Sequence, residues 1–235
     1  MTGFLGKIMG SVLKFVYDIV SNIGAEPEHF SFFAIAIIIT TIIFKLILLP
    51  FNLHQAKSSK KMAEIQPIMK EIQTKYKSDP QTMNAKLQEA YKENNYNPAS
   101  GCLPLLVQFP IILAFFAVFR EPAKYAFTEP GVYEAMNKTF FWITNLDVPD
   151  PYLWGLPLLS AITTFIQTKT MGNQSQDPQT ASTMKTMNII MPVMIFFAAK
   201  GFAAGLALYW LVGNIFTIIQ QLISRRSLPK VKEGK

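Results

Sequence analysis

Half of the 235 residues are hydrophobic and only 16% are charged, and the mean hydropathy is positive, a balance too apolar for an ordinary soluble domain. The 22 Lys and Arg against 15 Asp and Glu fall mainly between and after apolar runs, where the positive-inside rule puts them. The excess therefore describes membrane topology and gives no sign of sequence-specific nucleic-acid recognition.

Residues 1–29 open with FLGKIMGSVLKFVYDIV, in which Phe4, Ile8, Val12, Phe15 and Ile19 recur every three or four positions. That period predicts an amphipathic helix lying in the outer interface, with a signal peptide as the weaker alternative. Residues 30–53 form the first expected transmembrane helix, an apolar run containing one charge, Lys45. At about 1.5 Å per residue this length just crosses the hydrocarbon core, and Lys45 sits about 12 Å from its inner end. A buried ammonium is costly unless water or a partner reaches it, although a lysine stem can also snorkel toward the interface.

Residues 54–98 read as a cytoplasmic helical hairpin. Met62, Ile65, Met69, Ile72 and Tyr76 repeat at helical spacing, and Leu87, Ala90 and Tyr91 form a second stripe after the Ser78-Asp79-Pro80 break. Lys57, Lys60, Lys61, Lys70, Lys75, Lys77, Lys86 and Lys92 place it inside. The hairpin is either a docking arm for a partner or incoming chain, or a connector whose lysines only set topology.

The second span, 99–121, carries Pro104, Gln108 and Pro110, which suggest a bent, packed helix. Residues 122–150 are poor in lysine and read as an external loop, with Trp142 and Trp154 at an interfacial belt. The third span, 151–169, ends in TTFIQTK, and 170–183 is a polar inner loop. The fourth, 184–200, is short enough to suggest local thinning of the bilayer. The fifth, 201–223, starts with the Gly201 to Gly205 spacing that favours a close neighbour, and 224–235 is a basic tail with Arg225, Arg226, Lys230 and Lys232. Alternation from the hairpin places the N-terminus outside and the C-terminus in the cytoplasm.

Laid side by side as antiparallel helices, these spans bring Gln108, Thr163, Thr164 and Asn214 to the level of Lys45 within about 5 Å. Thr40, Thr41 and Gln167 extend the polar layer, and a wetted cavity open to the cytoplasm would keep Lys45 charged. Simple bridging between helices is the competing account of the amides and hydroxyls. No Asp or Glu lies inside a span, and both histidines, His29 and His54, sit at span ends. Proton relay and intramembrane hydrolysis are therefore disfavoured, and no enzyme activity is expected. The lone Cys102 excludes an intrachain disulfide, no Cys/His cluster has metal-ligand spacing, and no G-x-x-x-x-G-K-[ST] loop occurs, so no cofactor or nucleotide is expected.

The order of these features, with NPASGCLPLLVQFPIILAFF, LPLLSAITTFIQTK and GLALYWLVGNIFTIIQQ, resembles the YidC family of membrane protein insertases in its short form. The resemblance runs from about Phe30 to Arg226. It implies an all-α integral membrane protein of the bacterial inner membrane, with five transmembrane helices and a groove open to the cytoplasm and to lipid. Lys45 matches the family's basic groove residue, usually arginine, and Gln167 and Trp210 match other groove positions. The hairpin matches the client-receiving arm, and the tail resembles those that touch ribosomes. The implied partners are nascent membrane protein clients and the lipid bilayer. Contact with a ribosome, a targeting receptor or the Sec translocon stays open, as does the alternative of a small-solute transporter or channel using the same cavity.

Overall fold

The computed structural model describes residues 2–97, 103–170 and 178–227, and among these the regular structure is helical, with a few isolated β-bridges. The first helix, α1 (Thr2–Ser21), has the expected apolar period, and that stripe, Val12 apart, faces outward. Phe4, Ile8, Phe15 and Ile19 are exposed, whereas Met9, Leu13 and Val16 enter the core, joined by the more peripheral Leu5 and Val12. Both faces are apolar, so periodicity alone does not choose between them. Gly6 and Gly10 decide it, because their missing side chains let the helix close on Tyr125.

Helix α2 (Phe32–Ile47) starts where two side chains satisfy its first amides. Ser31 Oγ accepts from the Ala34 amide at 3.1 Å and Glu26 from that of Phe32 at 2.6 Å, which also sets an acid at the positive end of the helix. It ends at Leu48, and α3 (Leu49–Lys75) leaves at an angle of 52°. Pro50, in the first turn of α3, lacks the N–H that a straight helix would need there. The expected boundary between span and hairpin at residues 53 and 54 thus lies within α3.

Helices α3 and α4 (Pro80–Glu93) pack as the expected hairpin. Asp79 caps α4 by accepting from the Thr82 amide, and Ile65, Met69 and Leu87 form a separate small core with Ile72, Met83 and Tyr91 around it. Lys61 Nζ donates to the Asn95 carbonyl at 3.0 Å and ties the end of α4 back to α3.

Helices α5 (Leu103–Arg120), α6 (Pro122–Tyr125), α7 (Val132–Ala135), α8 (Leu156–Thr170), α9 (Pro178–Gly201) and α10 (Ala204–Ser227) complete the chain. The main packing pairs are α8 with α9 and α10, α1 with α5 and α2, and α10 with α2. Among the described residues, α10 alone is long and apolar enough to cross a membrane as one straight helix. Helix α2 and the start of α3 form a bent pair that qualifies together, while Val107–Arg120 and Asn188–Gly201 are shorter apolar stretches. Helix α9 begins at Pro178, inside the loop expected over 170–183. Gly205 touches the Phe119 ring as its spacing with Gly201 suggested, but Gly201 faces open space.

The loop expected over 122–150 is a folded cap over one end of the helices, at the starts of α2, α8 and α10. Its carbonyls at Leu146 and Val148 accept from the first amides of α10, Gly205 and Ala204, at 2.9 and 2.8 Å, and Phe127, Ile143 and Leu146 are buried beneath it. Asp147 accepts from the Tyr133 hydroxyl and pairs with Lys138 at 2.8 Å. Burial, with the hydrogen bond to Asp147 second, holds the Tyr133 hydroxyl well above its ordinary pKa, so it donates at any physiological pH.

Asp150 is the pivot of this cap. Its buried carboxylate accepts from the Trp142 indole at 3.1 Å and from the backbone amides of Tyr152 and Leu156 at 2.9 and 2.7 Å, closing the start of α8. Trp142 is therefore a structural donor, its ring tilted against that of Trp154. Asp150→Ala leaves three donors without their acceptor and is expected to cost about 2 kcal/mol, read as a lowered unfolding midpoint in detergent. A change within about 0.5 kcal/mol would contradict this account of the cap.

Candidate functional site

Helix α10 carries two polar faces because Tyr209, Gly213 and Thr217 recur every four residues, while Trp210 and Asn214 repeat one position later. The first face meets α2 and α5. Lys45 Nζ donates to Thr217 Oγ1 at 3.2 Å and to Gln108 Oε1 at 3.4 Å, and Gln108 Nε2 is 2.6 Å from the Tyr209 hydroxyl. Thr217 donates to the Gly213 carbonyl at 2.8 Å, which leaves its oxygen lone pairs for the ammonium. Thr41 turns its hydroxyl to the Ile37 carbonyl, presenting its methyl beside the same cleft. No ion pair to Lys45 occurs among the described residues.

The second face meets α8. The Trp210 indole donates to Thr164 Oγ1 at 3.0 Å, and Thr164 donates to the Ser160 carbonyl at 2.7 Å. Asn214 satisfies both ends of its amide when its nitrogen donates to Gln167 Oε1 at 2.5 Å and its oxygen takes the Trp210 indole at 3.3 Å. Nearer the C-terminal end of α10, Thr170 bonds Gln221, and Asn52 donates to Gln220 at 3.3 Å.

The expected single layer is thus two seams on adjacent faces of α10. Lys45, Thr41 and Gln108 belong to one; Thr164, Gln167, Trp210 and Asn214 belong to the other. Thr40, expected to extend the layer, is fully buried among the helices and its hydroxyl makes no hydrogen bond. The rotation of each helix about its axis is set by packing, which spacing along one helix does not give. The cleft at Lys45, bounded by Phe44, Leu48, Gln108, Ile111 and Tyr209, is too narrow to hold a water molecule. The cavity expected there is a narrow polar seam in which Lys45 and Gln108 are half-buried.

Sequence reasoning missed Tyr209, Gly213 and Thr217, although their spacing of four on the face toward Lys45 was a usable signal. In the hairpin, Ile65 and Met69 are core and Ile72 and Tyr76 are half-buried, so the expected docking stripe is mostly the hairpin's own packing face. Lys57 is exposed on α3, where Lys60 and Met62 also lie, and Lys61 holds Asn95. Arg225 and Arg226 fall in the last turn of α10, while Lys230 and Lys232 lie outside the described residues. Between α8 and α9 a wide apolar groove is lined by Ile162, Phe165, Ile189, Pro192 and Val193.

Residues 27–232 match the family described as 60Kd inner membrane protein. A protein of Listeria innocua named membrane protein insertase YidC 2 is 39% identical over 206 residues, covering 86% of this chain and 67% of its own. The membrane protein insertase YidC of Fusobacterium nucleatum is 36% identical over 214 residues, covering 89% and 96%. That of Enterococcus faecalis is 43% identical over 204 residues, covering 85% and 69%.

Proposed function

Since the chain belongs to the YidC family of 60Kd inner membrane proteins, we propose that it is a membrane protein insertase and chaperone, working without enzymatic turnover or cofactor. It sits in a bacterial membrane through five spans, formed by α2 with the start of α3, α5, α8, α9 and α10. The N-terminus is outside and the hairpin and tail are in the cytoplasm.

In this reading the polar N-terminal part of a client enters between α2, α5 and α10 from the cytoplasmic side, drawn by Lys45. The observation that carries it is an ammonium set within an apolar helix and met by neutral groups only. Such a charge attracts a carboxylate strongly once the local dielectric is low. The second seam, with Gln167, Trp210 and Asn214, offers amides and hydroxyls to the same segment. The short apolar stretches Val107–Arg120 of α5 and Asn188–Gly201 of α9 favour a thinned bilayer, which reduces the dry distance to be crossed. The client's apolar helix then leaves sideways along the apolar groove of α8 and α9, driven by burial in lipid. Exposed hairpin lysines and the basic tail suit a ribosome, a targeting receptor or a Sec translocon.

The test is reconstitution of the purified protein in liposomes with a single-span client, reading protease protection of the client's translocated tail without added nucleotide. Protection well above that in empty liposomes is expected. Protection equal to that in empty liposomes, together with flux of a small solute, would favour a transporter instead.

A further inference from the structure

We propose that Gly213 and Thr217 form a parking site for the Lys45 ammonium, and that an acidic group on a client must displace Thr217 to engage it. The inference rests on the insertase reading above and adds a specificity element to it. Three observations carry it.

The first is space. A side chain at Gly213 would put its Cβ 3.1 Å from Lys45 Cε and 3.6 Å from Nζ. The lysine stem therefore occupies the volume that a larger residue on α10 would fill. The second is polarity. Because the Thr217 hydroxyl hydrogen is committed to the Gly213 carbonyl at 2.8 Å, its oxygen is oriented as an acceptor, 3.2 Å from Nζ. One backbone site thus both makes room for the lysine and aims the threonine at it. The third is strength. The bonds to Thr217 and Gln108, at 3.2 and 3.4 Å, are long and neutral, whereas an ammonium–carboxylate bond is shorter and roughly twice as strong. The parking site is sufficient to give the half-buried ammonium two acceptors in a narrow seam, and weak enough for a carboxylate to replace it. Neutral tails, which offer nothing better than a hydroxyl or amide, have no such advantage.

The test compares two versions of one single-span client, with three Asp or three Asn in the translocated tail, in liposomes holding wild type, Thr217→Val, Thr217→Ser or Gly213→Ala. The readout is the ratio of protected acidic tail to protected neutral tail, with the unfolding midpoint of each variant recorded in detergent. Removing the competing hydroxyl in Thr217→Val is expected to raise the ratio threefold or more, and Thr217→Ser, which keeps the hydroxyl, to return it to the wild-type value. Gly213→Ala, which pushes the stem off its seat, is expected to change the ratio in the same direction as Thr217→Val and reports even if that variant fails to fold. A wild-type preference for the acidic tail with ratios unchanged or lowered in both variants overturns the parking site alone. No acidic preference in wild type overturns the charged-seam reading together with it.

Discussion

Lys45→Leu is expected to reduce insertion of a client with several acids in its translocated tail by about tenfold or more, equivalent to ~1.4 kcal/mol. A wholly apolar client should change by less than about twofold, because it gains from lipid burial rather than from the charge. The magnitude follows from the setting. At an effective dielectric of about 20, two charges about 4 Å apart interact by about 4 kcal/mol, part of which is lost in releasing the ammonium from Thr217 and Gln108. Lys45→Arg keeps the charge and should retain most activity, although a planar guanidinium fills more of the space beside Gly213. Equal loss for acidic and apolar clients in Lys45→Leu would point to a structural role for the residue.

Gly10→Ala is the largest expected effect on stability. The added Cβ would lie 2.0 Å from the Tyr125 carbonyl oxygen and 2.4 Å from its carbon. These are backbone atoms of the α6 turn, which cannot rotate aside as a ring can. Either α1 lifts from the bundle or α6 unwinds, at about 3 kcal/mol, the upper range for overpacking. Trypsin cleavage at Lys7 and Lys14 should accelerate, and the unfolding midpoint in detergent should fall. Gly3→Ala meets nothing within 4 Å and is the control, expected to be near neutral. If both variants behave as wild type, α1 is not docked through its glycines.

Much of the architecture was legible because it depends on local pattern. The apolar runs and the Asp79-Pro80 break in the hairpin each act within a few residues of themselves, whereas the bend at Leu48 and Pro50 was read as continuous span. What escaped the sequence depends on the rotation of helices about their axes. The α1 stripe was found, but the second apolar face, Met9, Leu13 and Val16, was not, since its burial follows from the close approach of Gly6 and Gly10 to Tyr125, distant in sequence. Lys45 and Asn214 were expected in one layer, yet Lys45, on α2, bonds Thr217 and Gln108, whereas Asn214 turns the adjacent face of α10 to α8. Asp150 looked like an ordinary external acid, and only its three donors identify it as the closure of the cap. The same limit hid Thr217, a common residue whose importance comes from the lysine opposite it.

The most direct test of the charged seam as the client's entry is photocrosslinking during insertion in liposomes. A photoreactive side chain is placed in turn at Gln108 and Ile111, which flank Lys45, and at Ile162 and Ile189, which line the groove between α8 and α9. The account predicts that the acidic tail crosslinks to positions 108 and 111, that Lys45→Leu abolishes those products, and that the client's apolar helix crosslinks to 162 and 189. Tail crosslinks confined to positions 162 and 189, and insensitive to Lys45→Leu, would contradict it.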